Sequence, residues 1–124
     1  MARRKILVID DEKEIQAMIR AVFQHAGDQV LSALDAVQGS MLARQPGIDA
    51  IILDINMPGG GGYTVFERLS TMTATMSIPV LIYSAAPRDQ VQQRIAESPT
   101  TVFLAKPAQP EEIKAAVDRL LDAS

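Results

Sequence analysis

The sequence predicts an α/β fold, (βα)₅, in which five parallel strands alternate with five helices in a doubly wound sandwich. Three observations predict it. Apolar runs of four to six residues recur along the chain. Between them the apolar period changes to three and four residues, the spacing of one helix face. The connections are short and the alternation regular, which implies a parallel sheet covered on both faces with right-handed crossovers.

Ile6–Ile9 reads as the first buried strand, β-branched and flanked by charge. After Asp10-Asp11, residues Ile15, Met18, Ile19, Val22, Phe23 and Ala26 line one helix face, and Gly27 stops it. Gln29–Ala33 is a weaker strand, placed near an edge. Asp35–Gln45 is the second helix, with Ala36, Val37, Met41 and Leu42 inward, broken by Pro46-Gly47. Ala50–Leu53 is the most apolar run and reads as the central strand. Tyr63–Met72 is the third helix, with Val65, Phe66 and Leu69 inward. Ile78–Tyr83 is the fourth strand, with Pro79 near its start, where a missing N–H is tolerated. Arg88–Glu97 is a polar helix carried by Val91 and Ile95. Thr101–Ala105 is the fifth strand. Pro110 opens the last helix, Glu111 and Glu112 complement its dipole, and Ile113, Ala116, Val117, Leu120 and Leu121 form its inner face.

A chain of 124 residues with 48% hydrophobic and 22% charged residues suits one domain, residues 1–124, with a single core. The net charge of −3 argues against a broad basic face for nucleic acid. Arg3-Arg4-Lys5 is the only basic cluster and reads as a solvated flank. With no cysteine, disulfides and thiolate chemistry are excluded. No apolar run reaches the roughly 18 residues of a membrane span, so a cytoplasmic location and no membrane partner are expected.

Parallel strands place their carboxyl ends on one edge, where sites of such sheets form. There the first strand ends in Asp10 and Asp11, the third in Asp54, the fourth in Ser84 and the fifth in Lys106-Pro107. Clustered carboxylates repel unless a cation or protons compensate, and Mg²⁺ prefers such oxygen ligands. Taken alone, Asp10-Asp11 reads as helix capping and Ser84 as turn chemistry. Asp54 is harder to explain that way, because it does not directly precede a helix. Lys106 suits either a salt bridge to the acids or a phosphate-pairing cation. The glycine-rich run from Asn56 to Gly62 lacks the P-loop lysine and reads as a mobile turn. His25, the only histidine, reads as a surface residue.

Val8-Ile9-Asp10-Asp11-Glu12, Leu53-Asp54-Ile55-Asn56-Met57-Pro58, Ser84-Ala85 and Lys106-Pro107, in this order on these strand ends, resemble the receiver domain of two-component response regulators. The resemblance covers essentially the whole chain. It implies the flavodoxin-like fold with strand order 2-1-3-4-5. It implies Asp54 as phosphoacceptor, with Mg²⁺ or Mn²⁺ held by Asp10, Asp11, Asp54 and the backbone carbonyl of Asn56, Asp11 being the more direct ligand. Ser84 would be the switch hydroxyl, Phe103 the switch aromatic, and Lys106 the phosphoryl-pairing cation, with a cis peptide to Pro107. The implied partners are a sensor histidine kinase or phosphotransfer protein and a downstream target or fused output domain, with phosphorylation-dependent homodimerisation. Such a domain assists its own phosphorylation and dephosphorylation and is not otherwise an enzyme.

The chain departs from the family pattern in four places. Gly61-Gly62 stand where Asp-Gly commonly opens the third helix, and Pro99-Thr100 where Gly-Ala precedes the fifth strand. Ala108 replaces an aromatic after Lys-Pro, and Phe103 lacks the hydroxyl of the commoner tyrosine. Other readings are a pseudo-receiver that only binds protein, an aspartate-nucleophile phosphatase and a flavodoxin. The phosphatase motif spaces its two aspartates by one residue, whereas Asp10 and Asp11 are adjacent. A flavin phosphate would be repelled by Asp10-Asp11-Glu12.

Overall fold

Strand pairing follows the apolar runs. In the computed structural model, which describes residues 3–122, five parallel strands form one sheet in the order β2-β1-β3-β4-β5. They are β1 (Lys5–Ile9), β2 (Gln29–Ala33), β3 (Ala50–Leu53), β4 (Val80–Ser84) and β5 (Thr101–Ala105). The helices are α1 (Lys13–His25), α2 (Ala36–Leu42), α3 (Gly61–Thr71), α4 (Arg88–Gln92) and α5 (Pro110–Asp122). The strands β1, β3 and β4 are flanked on both sides, and their residues are almost wholly buried. That is why they read as continuous apolar runs. The order is the one the family resemblance implied, and β2 lies at an edge as its weaker pattern indicated.

Side chains alternate across the sheet and build two cores. Leu7, Ile9, Ile51, Leu53, Val80 and Ile82 pack with Val65, Leu69, Val91 and Ile95, beneath α3 and α4. Ile6, Val8, Ala50, Ile52, Leu81 and Tyr83 pack with Ile19, Phe23, Ile113 and Val117, beneath α1 and α5. A single core was expected, but a strand buried on both faces divides the interior into two.

Capping explains several helix starts. Asp35 accepts the Gln38 N–H at 2.8 Å and opens α2. Glu112 accepts the Gln109 N–H at 2.9 Å ahead of Pro110. Glycine at φ +93° (Gly27) ends α1 in the left-handed region.

Five expectations need correction. The helix α2 is shorter than Asp35–Gln45 and turns Val37 and Met41 outward, each 67% exposed. Its inner face is instead Ala36, Gly39, Leu42 and Ala43, because Gly39 lets the helix approach Ile9 closely. Ala26 lies beyond α1 and is exposed. The helix α4 ends at Gln92, well short of Glu97, with Ile95 still buried in a turn and Ser98 paired to Thr101. The strand β4 begins at Val80 and includes Ser84. The stretch Pro58–Gly60 forms a 3₁₀ turn with Gly59 at φ +73°, and α3 starts at Gly61, two residues before Tyr63.

Arg4 is a further correction, since it is not a solvated flank. Its guanidinium donates to both Asp28 oxygens, at 2.9 and 2.8 Å, and to Asp118 at 2.8 Å. The hydrogen bond to buried Asp28 outweighs the cost of burial and raises the arginine pKa further. This fork ties the start of β1 to the β2 edge and to α5.

Candidate functional site

Asp54 directly follows β3, and its N–H donates to the Ile9 carbonyl at 2.9 Å, which holds it level with the end of β1. Asp10 is held likewise, its N–H donating to Ala33 at 3.0 Å. Both carboxylates are buried, Asp10 at 2% and Asp54 at 4% exposure. Each accepts one backbone N–H two residues on: Asp10 Oδ1 from Glu12 at 2.9 Å, and Asp54 Oδ1 from Asn56 at 2.9 Å. These turns fix the acids without using their second oxygens.

Lys106 reaches into that pair from the end of β5. Its Nζ donates to Asp10 Oδ2 at 2.8 Å, Glu12 Oε2 at 2.7 Å and Asp54 Oδ2 at 3.3 Å. Burial works against the ammonium, but the hydrogen bonds it donates to Asp10 and Glu12 and the charges of Asp10 and Asp54 together raise its pKa. It therefore stays protonated. Burial pushes the Asp10 carboxyl above its ordinary range; the Lys106 and Glu12 hydrogen bonds oppose this, and the Asp54 charge adds to it. The peptide between Lys106 and Pro107 is cis, as the resemblance implied.

The structure brings Asp10, Asp54 and Lys106 into one constellation, together with Glu12, which the sequence reading did not select. Oxygens of Asp10, Glu12 and Asp54 lie within 4.8 Å of one another. Asp11 is exposed at the rim, outside that converging set. An all-oxygen donor set with excess negative charge suits Mg²⁺ or Mn²⁺, so the residues present fit such an ion.

Ser84 and Phe103 continue the register of the residues beneath α3 and α4. Ser84 is buried, and its Oγ accepts the Ala86 N–H at 3.3 Å. Its carbonyl accepts the Lys106 N–H at 3.0 Å, so the ladder joins β4 to the lysine. Phe103 is partly buried, with the Arg88 guanidinium 5.7 Å from its ring centre. Ser84 and Phe103 line one cleft of about 40 Å³ with Ile82, Ala86 and Val91. His25 is exposed, as expected.

Gln16 escaped sequence reading. It lies on α1, 5% exposed, and its amide nitrogen is within 2.9–3.1 Å of the Val8, Asp10 and Ala33 carbonyls. It clamps the end of β1 to that of β2 directly beneath Asp10. The signal was its register: Gln16, Ile19 and Phe23 fall at i, i+3 and i+7 and are the buried residues of α1.

Residues 6–118 match the model of the response regulator receiver domain. The chain belongs to that family. Among its relatives, the DNA-binding dual master transcriptional regulator RpaA of Synechocystis is 37% identical over 119 residues, covering 94% of this chain and 48% of RpaA. This receiver domain thus spans about half the length of the first curated relatives it matches. Among solved structures, the Vibrio cholerae chemotaxis protein CheY4 superposes with a TM-score of 0.87 at 27% identity, covering 96% of this chain and 99% of that one. The receiver domain of a Pseudomonas aeruginosa sensor histidine kinase shares the fold, with a TM-score of 0.84 at 22% identity and coverage of 98% and 99%; that structure holds a magnesium ion in its active-site cleft. Receiver domains are signalling domains of two-component systems. Among the described residues, no helix is long and apolar enough to cross a membrane.

Proposed function

We propose that this chain is a phosphoacceptor switch in which Asp54 takes a phosphoryl group from a phosphohistidine of a sensor histidine kinase or a phosphotransfer protein. The observation that carries the reading is the buried Asp54 carboxylate facing a partly buried, protonated Lys106 beside a second buried acid. An Asp54 oxygen attacks phosphorus in line. The P–N bond to the imidazole breaks, and its electron pair stays on the ring nitrogen. Lys106 offsets charge on the phosphoryl oxygens from a fixed position, so little reorganisation is needed during transfer.

Asp10, Asp11 and Asp54, with the Asn56 backbone carbonyl, would hold Mg²⁺ or Mn²⁺. When bound, the ion supplies charge neutralisation at the phosphoryl oxygens. Asp11, exposed at the rim, is free of the Lys106 network.

The response runs through Ser84 and Phe103. Phosphorylation adds charge and acceptor oxygens beside Ser84, whose hydroxyl turns to donate to them. The cleft that Ser84 shares with Phe103 holds about 40 Å³, whereas roughly 150 Å³ accommodates a benzene ring. Phe103 therefore enters only as its neighbours yield, which couples the two movements. The population shifts on the surface formed by α4, β5 and α5, where a downstream target, a fused output domain or a second copy of the chain reads it. The cytoplasm is the expected setting.

The test is labelling by acetyl phosphate with Mg²⁺, in which the phosphorus–oxygen bond to acetate breaks. The parent chain is labelled and Asp54→Ala is not. Equal labelling of the two would assign the acceptor elsewhere.

A further inference from the structure

An ammonium has three N–H donors and no acceptor, and Lys106 has three carboxylate partners. The lysine is therefore saturated before any phosphoryl group arrives. Its shortest contact, 2.7 Å, is to Glu12. That partner is also the only exposed one: the Glu12 side chain is 58% exposed, against 3% for Asp10 and 4% for Asp54. Releasing Asp10 would strand a buried charge, which is costly. Releasing Glu12 returns a carboxylate to water at little cost.

Beyond its place in the acidic cluster, Glu12 has no duty on its own helix that explains its reach. As the N-cap of α1 it makes no side-chain capping bond. The bond that orders the turn is its backbone N–H to Asp10, which any residue there would supply.

We infer that Glu12 is a positioning residue that holds Lys106 and is displaced from it by the phosphoryl group on Asp54. The inference rests on the phosphoacceptor reading above and extends it to the strength of the switch. Glu12 competes with the phosphoryl group for the lysine, and its charge opposes the incoming negative charge. It thereby weakens the hold on the phosphorylated form. Its removal leaves a donor of Lys106 unclaimed and tightens that hold.

Beryllofluoride, a phosphoryl mimic, tests this on the full chain at saturating Mg²⁺, followed by the amide signals of Asn56 and Ser84. Glu12→Gln and Glu12→Ala bind it about two- to fivefold more tightly than the parent, the usual scale of an exposed ion pair. The difference shrinks near 1 M salt, where exposed charges are screened, while urea midpoints stay unchanged. A purely structural role would move the midpoints and show no such salt dependence. Equal affinity in parent and variants overturns the inference and leaves the acceptor assignment standing. Weaker binding in the variants also overturns it and makes Glu12 a helper, such as a metal ligand. A parent chain that gives no response to beryllofluoride removes the phosphoacceptor reading itself, and this inference with it.

Discussion

Gly62→Ala should destabilise the protein, although alanine is the better helix former. Gly62 lies in the first turn of α3, and exchange of an ordinary helical glycine for alanine gains about 1 kcal/mol. Here a methyl group would lie 2.3 Å from Ile55 Cα, 2.4 Å from the Ile55 oxygen and 2.5 Å from the Asp54 oxygen. All three are backbone atoms, so no side chain can rotate away. Relief requires the turn after Asp54 to move by about 1 Å, and overpacking of this kind costs roughly 3 kcal/mol or more. Net of the helix gain, the variant should lose about 2 kcal/mol, which lowers the melting temperature by roughly 10 °C. Acetyl phosphate labelling should fall as well, because the displaced carbonyl belongs to Asp54, the proposed acceptor. Gly61→Ala is the control. Its methyl meets only side-chain atoms, Ala36 Cβ at 3.1 Å and Met57 Cε at 4.0 Å, and its stability should stay within about 0.5 kcal/mol of the parent. Paired thermal and urea melts decide the matter. A Gly62→Ala chain as stable as the parent would refute the close approach of α3 to the turn after Asp54.

Gln16→Met keeps volume but removes the donor shared by three strand-end carbonyls, and should cost about 2–3 kcal/mol by urea denaturation; an unchanged midpoint would show that the clamp is dispensable. Burial works against the Asp118 carboxylate, but hydrogen bonds from Lys114 and Arg4 outweigh it and hold its pKa below the ordinary range. A depressed folded pKa gives stability that is present above the unfolded value, about 3.9, and is lost as pH falls through the folded value. Asp118→Asn should therefore be less stable than the parent at pH 7 and approach it below about pH 4, a convergence that paired urea melts at pH 7 and pH 3 would reveal or exclude.

Strand positions were legible because each buried strand is an uninterrupted apolar run and each run ends in a polar residue. Asp10, Asp54, Ser84 and Lys106 stand at the strand ends that the alternation implied. What escaped reading depended on contacts between elements. Val37 and Met41 look like a core stripe, but the approach of Gly39 to Ile9 rotates α2 and turns them outward. The helix α4 has few apolar residues, so the pairing of Ser98 with Thr101 prevails over its helical pattern. Arg4 looked solvated because its partners, Asp28 and Asp118, lie 24 and 114 residues away. Glu12 stands inside a recognised motif, yet its reach to Lys106 depends on a contact 94 residues distant. No local period encodes such pairings.

The alternation of β1, β3, β4 and β5 gives the site two faces that can change independently. Asp10, Asp54 and Lys106 continue the register of the residues beneath α1 and α5, whereas Ser84 and Phe103 continue that of the residues beneath α3 and α4. The two registers meet at the carboxyl edge of the sheet, where Ser84 pairs with Lys106. A change of the helices on the Phe103 side should therefore leave the acidic cluster in place. Swapping the segment from α3 to β5 between distant members, with the lysine retained, should exchange the surface around Phe103 and leave the proposed labelling of Asp54 in place.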